Sequence, residues 1–295
     1  MNAALGRALT ASLLRMNRLA WRRLPNSLLA SRPVMQYGDR LLALARSRAE
    51  RRSNFGTLFL RNRPQLELMR RLVAGTDARG AEAKIAVFGC SKGAEVYSIL
   101  WTLRLARPDL RISLNAVDIS GDILEFASKG VYPAIESGRI RLTGGMSRKE
   151  ISEFFEPQGE DLEIKPWLKE GITWRRMSAD DEEIADVLGG QDIVTANNFL
   201  CHMYPADAER CLRNIARSVK PGGRLFVSGI DLDVRTRVAV ALHWEPILEL
   251  LEEMHEGDPY LREDWPFEYW GLEPLDKRRP DWRMRYASAF RLNGG

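Results

Sequence analysis

The chain has 295 residues with 45% hydrophobic and 28% charged residues and a net charge of +4, which is enough for one α/β domain with extensions on both sides. No run of about twenty apolar residues occurs, which excludes a bilayer-spanning helix. Cys90, Cys201 and Cys211 show no metal-ligand spacing with the three histidines, which excludes a zinc-type site and predicts reduced thiols in a cytoplasmic protein.

Residues 1–76 are predicted to form a basic, mostly helical N-terminal cap. Residues 1–71 contain 15 arginines, no lysine and three acidic residues, a net charge of +12 that leaves −8 for the rest of the chain. Near the N-terminus, apolar and basic side chains fall on opposite faces of one helix: Leu5, Leu9, Leu13 and Met16 against Arg7, Arg15, Arg18 and Arg22.

This first helix is compatible with three roles. It could bind an anionic membrane surface through residues 1–24, act as a transit peptide, or dock its apolar face on the body of the chain. A second helical segment at 33–52 favours docking, because two helices can form a cap together. No basic-aromatic motif accompanies the arginines, so nucleic-acid binding is not expected.

A glycine turn between a strand and a helix marks the first candidate site. Gly89 and Gly93 give the spacing Gly-x-x-x-Gly, without the Lys-Ser/Thr of a nucleoside triphosphate loop and without the third glycine of a dinucleotide fingerprint. The next strand ends at Asp118, whose carboxylate can accept hydrogen bonds from two ribose hydroxyls. A nucleoside cofactor without phosphates fits this order, and we predict S-adenosylmethionine (SAM).

The start of the helix after Gly93 has two possible roles toward that cofactor. Its unsatisfied N–H groups can bind the methionine carboxylate. Glu95, in the first helical turn, could face the sulfonium or the amino group, but an acidic residue there also stabilises the helix dipole without any ligand.

Strands and helices alternate through most of the chain, which predicts an α/β fold with a Rossmann-like parallel sheet and helices on both faces. We assign residues 77–295 to this domain, with a less regular excursion at 131–171 that contains a helix at 148–155. The predicted strands are 84–89, 112–117, 172–177, 191–196 and 223–230, and the predicted helices are 94–107, 121–129, 181–188 and 206–218.

Residues 243–295 are predicted to form an aromatic C-terminal extension. It begins with a helix at 243–255 and ends with a strand at 285–292, and four of the eight tryptophans lie between residues 244 and 282. Such aromatic residues can wall a substrate pocket or pack a proline-rich loop onto the sheet edge, and the sequence leaves both interpretations open.

Five motifs, in order along residues 54–232, resemble the chemotaxis receptor methyltransferases (CheR type), which transfer a methyl group from SAM to glutamate side chains. Thr57-Leu58-Phe59-Leu60-Arg61 is similar to the family's Thr-x-Phe-Phe-Arg, and Ser91-Lys92-Gly93-Ala94-Glu95-Val96-Tyr97-Ser98 is similar to its Ser/Ala-x-Gly-x-Glu-x-Tyr-Ser loop. The later matches are Val117-Asp118-Ile119-Ser120 with Ser-Asp-Ile-Asp, Asn197-Asn198 with Arg-Asn, and Lys220-Pro221-Gly222-Gly223 with Lys-Pro-x-Gly.

The resemblance implies a class I methyltransferase fold, with SAM as cofactor and S-adenosylhomocysteine as product. It implies that the excursion at 131–171 corresponds to a small β subdomain that meets the receptor in the family. It also implies that Ser178 and Ala179 flank the adenine and that Asn197 and Asn198 line the mouth of the site. The predicted cofactor-binding residues are Thr57, Arg61, Gly89, Cys90, Ser91, Gly93, Glu95, Asp118, Ile119, Ser178, Ala179, Asn197 and Asn198.

Three positions depart from the family pattern. His202 stands where the family has a tyrosine, Asn197 stands where it has an arginine, and Phe55 stands where it has an asparagine. These departures favour an acceptor other than a chemoreceptor glutamate, and we expect a small metabolite.

The chemistry of methyl transfer gives two candidate catalytic residues, Arg61 and His202. A carboxylate acceptor, with a reference pKa of about 4.3, needs no base, and Arg61 would orient it as a bidentate clamp. A hydroxyl or amine acceptor must lose a proton, and His202 is then the candidate base. We predict O-methylation of a carboxylate on a small metabolite or a protein side chain. The alternatives are a hydroxyl or amine methyltransferase, or a SAM-binding regulatory protein without turnover.

Overall fold

The computed structural model describes residues 2–29, 31–46, 56–74, 82–134, 143–257, 265–268 and 271–293. Its described helices are α1 (Asn2–Trp21), α2 (Asn26–Leu29), α3 (Arg32–Arg46), α4 (Arg63–Ala74), α5 (Ala94–Ala106), α6 (Gly121–Lys129), α7 (Arg148–Phe154), α8 (Pro166–Lys169), α9 (Ile184–Leu188), α10 (Pro205–Arg217), α11 (Leu232–Ala241), α12 (Leu251–Glu256) and α13 (Trp282–Tyr286). Its described strands are β1 (Glu82–Phe88), β2 (Arg111–Asp118), β3 (Val131–Pro133), β4 (Phe155–Gln158), β5 (Asp161–Ile164), β6 (Ile172–Arg176), β7 (Gln191–Asn197), β8 (Val219–Ser228), β9 (Glu245–Pro246) and β10 (Ala289–Arg291).

The central sheet has seven strands in the order β6-β2-β1-β7-β8-β10-β9. The five strands from β6 to β8 are parallel, while β10 runs antiparallel to both β8 and β9. Parallel strands joined by helices give the doubly wound arrangement, and the predicted Rossmann-like, class I methyltransferase fold is confirmed.

Successive residues of β1 point to opposite faces of the sheet and supply two cores. Ile85 and Val87 belong to one buried cluster, and Ala86 and Phe88 belong to the other. This continuous apolar run is typical of a parallel strand covered by helices on both faces.

The strand order reverses at β1, because the chain moves from β1 to β2 on one side and later adds β7 on the other. Ligands bind at such a switch point, outside the carboxyl ends of the strands. The carboxyl ends of β2, β7 and β8 carry Asp118, Asn197 and Ser228, so the fold brings these polar residues to one edge of the sheet.

The excursion contains a second, antiparallel sheet in the order β3-β5-β4. Phe59 packs edge-on against Tyr132, Phe154 and Phe155, with ring centroids 5.1 to 5.5 Å apart. These aromatic contacts fix the loop that precedes α4 against the small sheet, and they therefore position Arg61, two residues after Phe59.

The C-terminal part differs from the sequence prediction at three places. The predicted helix at 243–255 is wrong over its first half, since β9 pairs with β10 there and α12 begins only at Leu251. Pro246 lacks an N–H group and cannot continue a helix, and Leu250 has a φ of 55°. The sequence analysis missed α11, which contains three valines and one threonine in ten residues, and β-branched residues have lower helix propensity. The predicted strand at 285–292 is shorter, because α13 occupies its start.

The described N-terminal helices pack on the C-terminal extension. Trp21 is 7% exposed and lies edge-on against Trp265 and Phe267, with ring centroids 5.5 and 5.9 Å away. Arg18 pairs with Glu268 at 2.6 Å. The part of the second helical prediction at 47–52 lies outside the described residues, as does Phe55. None of the described helices has the length and apolarity that a membrane crossing requires.

We expect Trp21→Ala to destabilise the protein, because a buried tryptophan replaced by alanine costs about 3–5 kcal/mol. Leu19→Ala is the control on the same helix, since Leu19 is 58% exposed, and we expect it to change stability by less than about 0.5 kcal/mol. Thermal unfolding of both variants measures the difference. A chain lacking residues 1–30 that melts like the full chain but no longer binds anionic vesicles would instead support a membrane role for α1.

Candidate functional site

A cavity of about 240 Å³ opens along the carboxyl ends of the parallel strands. Its walls come from the glycine turn after β1, the ends of β2, β7 and β8, the loop before α4, and the C-terminal extension. Its lining residues include Thr57, Arg61, Gly89, Cys90, Ser91, Glu95, Asp118, Ile119, Met177, Ser178, Ala179, Asn197, Asn198, Phe199, His202, Ser228, Arg235, Met254, His255, Gly271, Leu272 and Ser288.

Asp118 is held by the backbone at one end of this cavity. It is 7% exposed, and its Oδ2 and Oδ1 accept hydrogen bonds from the N–H groups of Ser91 (2.9 Å) and Ser120 (3.1 Å). Each carboxylate oxygen has a second lone pair, so Asp118 can still accept two hydrogen bonds from a ligand. A ribose with two free hydroxyls donates two such hydrogen bonds, so Asp118 can accept both of them.

The two glycines of the turn are required by the protein's own packing. Gly89 has a φ of +64°, and a Cβ there would lie 2.7 Å from the Phe199 ring. Gly93 has a φ of +85°, and its Cβ would lie 3.1 Å from the Tyr97 ring and 3.2 Å from the Ala127 Cβ. A Cβ at either position would therefore meet protein atoms in a backbone conformation that favours glycine.

Glu95 is the carboxylate in the middle of the cavity floor. Asn197 Nδ2 donates to Glu95 Oε1 at 2.9 Å, and Ser228 Oγ donates to Asn197 Oδ1 at 2.8 Å, which fixes the orientation of the amide. Burial raises the pKa of Glu95, while the Asn197 hydrogen bond and the charge of Arg61 act in the opposite direction. The site therefore holds a partly buried acidic group that a cationic ligand would stabilise in its ionised form.

We expect Glu95→Gln to stabilise the unliganded protein at neutral pH and to weaken SAM binding. Because the pKa of Glu95 is higher in the folded state than in the unfolded state, protonation of Glu95 favours the folded state. This contribution to stability is fully present below the unfolded-state pKa and is lost as the pH rises through the folded-state pKa. The melting temperature of the variant should exceed that of the wild type by roughly 2–4 °C for each kcal/mol regained at pH 7. Melting curves between pH 4 and 8 should show the difference disappearing toward low pH.

Glu182→Gln is the matched control for this prediction, since Glu182 is exposed and lies outside the cavity. A Glu95→Gln variant that is less stable than the wild type at pH 7 would contradict the raised pKa of Glu95. A variant that binds SAM as well as the wild type would contradict a role of Glu95 in the cofactor site.

The loop before α4 brings Arg61 into the cavity wall, close enough to Glu95 for its charge to act on that carboxyl. The N–H group of Leu60 donates to the buried Ser98 Oγ at 3.0 Å, and Leu60 has a φ of 54°. This left-handed backbone, rare for a branched residue, turns the chain so that both Thr57 and Arg61 line the cavity.

His202 lies at the mouth of the cavity, in a short 3-10 helix (Leu200–His202) that follows β7. Asn198 precedes it with a φ of 59° and donates its N–H to the Ser228 carbonyl at 3.0 Å. A Cβ on Gly229 would lie 2.6 Å from the Asn198 Cα, so the close approach of these two strand ends requires a glycine. The strained backbone at Leu60, Ser91 and Asn198 surrounds the cavity, as expected where a site is held in a fixed geometry.

The structure brings together the predicted site residues with one exception. Every predicted residue lines the cavity except Gly93, which caps α5 behind it. The sequence analysis missed the opposite end of the cavity, which is lined by Ser228, Arg235, Met254, His255, Gly271, Leu272 and Ser288. Only the aromatic composition of the extension gave a signal for that end, and the tryptophans themselves do not line it.

The cavity residues fit SAM by their chemistry. A carboxylate with unused lone pairs stands at the nucleoside end, the apolar side chains of Met177 and Phe199 line the same cavity, and the partly buried Glu95 suits a cationic ligand. The start of α5 has no side-chain cap, so its first N–H groups can donate hydrogen bonds to a ligand carboxylate.

Comparison with known sequences finds a family model and several curated relatives that agree with each other. Residues 56–232 match the sequence family described as "CheR methyltransferase, SAM binding domain". The chain is 30% identical over 182 residues to a chemotaxis protein methyltransferase of Vibrio parahaemolyticus, covering 59% of this chain and 64% of that protein. It is 26% identical over 185 residues to the chemotaxis protein methyltransferase Cher2 of Pseudomonas putida, covering 59% of this chain and 65% of that protein. The chain thus spans less than two thirds of the length of these relatives.

Solved structures show weaker likeness. An O-methyltransferase family protein from Burkholderia thailandensis aligns with a TM-score of 0.34 and 16% identity, covering 65% of this chain and 39% of that chain. The magnesium protoporphyrin IX methyltransferase of Synechocystis, solved with bound SAM, aligns with a TM-score of 0.36 and 14% identity, covering 70% of this chain and 82% of that chain. The family match confirms the resemblance and, with it, SAM as the cofactor.

Proposed function

This chain belongs to the CheR methyltransferase family, and from that premise we propose that it transfers the methyl group of SAM to a carboxylate oxygen of a small organic acid. Residues 77–295 would form the catalytic domain and residues 1–76 the cap. SAM supplies an activated methyl group on a sulfonium. The protein must hold the acceptor oxygen in line with that group and exclude water.

The observation that carries the small-molecule proposal is the burial of the residues that line the far end of the cavity, on the side of β8. Arg235, Met254, His255 and Ser288 line it and are 2%, 2%, 7% and 3% exposed. Three of these four come from the C-terminal extension, beyond the family match at 56–232. An end that is this buried suits a compact acceptor that enters the cavity whole.

The carboxylate chemistry is supported by the groups at the mouth. Arg61 lies close enough to Glu95 for its charge to lower the pKa of that carboxyl, so a positive charge is present beside the cofactor site. A guanidinium can orient an acceptor carboxylate through two parallel hydrogen bonds. Because a carboxylate is ionised at pH 7, no residue has to remove a proton.

The test is an acceptor screen with the full chain and SAM. Small mono- and dicarboxylic acids are supplied one at a time, and both S-adenosylhomocysteine and the methylated product are measured. We expect at least one small acid to cause release of S-adenosylhomocysteine. The methylated product should hydrolyse in mild alkali, as a methyl ester does. Turnover that gives only alkali-stable methyl ethers or methylamines would favour the hydroxyl or amine alternative, with His202 as the base.

A second candidate acceptor is a glutamate side chain of a protein. The names of the relatives favour it, since they are chemotaxis protein methyltransferases. The small sheet β3-β5-β4 favours it as well, because it stands beside the loop that carries Arg61 and offers a surface for a larger partner. Glutamate-containing peptides in the same screen separate the two candidates: turnover with peptides but with no free acid would support the protein acceptor.

A further inference from the structure

Arg235 is a buried guanidinium that lines the far end of the cavity. It stands on α11 and is 2% exposed. Its Nη1 donates to the Val227 carbonyl at 2.9 Å and its Nη2 donates to the Arg285 carbonyl at 2.8 Å, which ties β8 to the end of α13. Its Nε is buried and has no partner among the described residues. A guanidinium has five N–H donors, so its bonding capacity is only partly used.

The carboxylates around Arg235 are committed to other arginines. Asp231 and Asp233 bind Arg46 at 2.9 and 3.0 Å. Arg285 forms ion pairs with Glu273 at 2.6 Å and with Asp233 at 2.8 Å. Within the part of the chain that the structure describes, Arg235 makes no ion pair, and the two acceptors of its hydrogen bonds are neutral carbonyls.

Arg235 nevertheless stays cationic at neutral pH. Burial and the nearby charge of Arg285 lower its pKa to about 9, with Glu273 acting in the opposite direction. A buried cation without a contacting anion is unfavourable, and an anionic ligand in the cavity would remove that cost.

Ser288 supplies a second unused donor beside Arg235. It is 3% exposed, lines the same cavity, and its Oγ has no partner among the described residues. The N–H of Val227 donates to the Ser288 carbonyl at 2.7 Å, while the carbonyl of Val227 accepts from Arg235. The Arg235 side chain and the Ser288 backbone are therefore both anchored on Val227 of β8, and both residues line the cavity together with the apolar residues Met254 and Leu272.

We propose that Arg235 and Ser288 form an oxyanion subsite that binds an anionic group of the methyl acceptor. This inference rests on the proposed function and narrows its substrate class to a small organic acid or phosphate ester with an apolar middle part. Arg235 and Ser288 lie beyond the family match at 56–232. The subsite is thus a property of this chain's own C-terminal part.

The test measures binding of two probes, glutarate and inorganic phosphate, to the full chain saturated with S-adenosylhomocysteine. Titration calorimetry on the wild type should give saturable binding of at least one probe, and the tighter one identifies the oxyanion. Arg235→Gln should weaken that binding by about 10- to 100-fold, because a charge-assisted hydrogen bond is lost. Ser288→Ala should weaken it by about 2- to 10-fold.

Two variants serve as a matched control and as a test that does not depend on the folding of Arg235→Gln. Arg237→Gln is the matched control on the same helix, since Arg237 is exposed, pairs with Glu209 at 2.6 Å and lies outside this cavity. It should bind the probe like the wild type. Ser288→Ala should fold normally, because its hydroxyl has no protein partner to lose, so the subsite remains testable even if Arg235→Gln unfolds.

The outcomes separate the subsite from the proposed function. Saturable binding that Arg235→Gln and Ser288→Ala both weaken supports the subsite. Failure of the wild type to bind S-adenosylhomocysteine would overturn the proposed function. Normal cofactor binding with no saturable anion binding, or with anion binding that Ser288→Ala and Arg235→Gln leave unchanged, would overturn the subsite alone and leave Arg235 as a structural tie between β8 and α13.

Discussion

Replacing Asp118 with alanine is expected to weaken SAM binding by about 10- to 100-fold, since hydrogen bonds to a charged group contribute about 1.5–3 kcal/mol. The loss has two sources. The carboxylate no longer accepts hydrogen bonds from the ribose, and the N–H groups of Ser91, in the glycine turn, and of Ser120, at the start of α6, lose their acceptor. Ser91 has a φ of 48°, so this turn depends on such support.

Asp118→Asn separates the two sources. Its amide oxygen can still accept one of the two backbone hydrogen bonds, but the negative charge is gone. We expect its SAM affinity to lie between those of the wild type and Asp118→Ala. Glu125→Ala is the control, since the Glu125 side chain is 69% exposed and pairs only with Lys129 on the next turn of α6. Calorimetry that finds equal SAM affinity in wild type and Asp118→Ala would show that the cofactor lies elsewhere.

The fold around β1 could be predicted because the signal is local and regular. Val87, Phe88 and Gly89 end an apolar run at a turn residue, and the strand and helix that follow repeat the same order. The C-terminal part could not be predicted in the same way. The apolar residues of α11 alternate with arginines in a valine-rich stretch, which is compatible with a strand as well as a helix. The pairing of β9 depends on β10, more than forty residues away.

The candidate site also contains residues that could be predicted from the sequence and residues that could not. Asp118, Glu95 and Asn197 were predictable because each stands at the end of a strand or the start of a helix in a recurring motif. Arg235 and Ser288 carry no such signal, since an arginine in an amphipathic segment is usually solvated. Their burial follows from the packing of α11 and β10 against β8, and only tertiary structure shows that their donors are unused.

The second large effect concerns the acceptor chemistry, and the two candidate residues at the mouth predict opposite results. For a carboxylate acceptor, we expect the single-turnover rate to be flat from about pH 6 to 8, because the acceptor is already ionised. Arg61→Ala should then be severe, and His202→Phe should affect mainly positioning. For a hydroxyl or amine acceptor, the rate should rise with a histidine-like pKa, and His202→Phe should lower it by about 100-fold or more.

The structure adds one complication to the Arg61 variant. The charge of Arg61 lowers the pKa of Glu95, so Arg61→Ala should also favour protonation of Glu95 and weaken SAM binding. Single-turnover rates at saturating SAM remove this binding effect from the comparison. Arg61→Lys keeps the charge but loses the planar fork, so a rate as low as that of Arg61→Ala indicates bidentate clamping of the acceptor.

The best acid from the acceptor screen is the substrate for these rates, and His243→Asn is the control. His243 is exposed, lies outside the cavity and has a φ of 52° that asparagine tolerates. The carboxylate assignment predicts flat profiles for the wild type, His243→Asn and His202→Phe alike. A rate that rises with a histidine-like pKa in the wild type and in His243→Asn, but not in His202→Phe, would refute that assignment, because a carboxylate has no proton for His202 to remove.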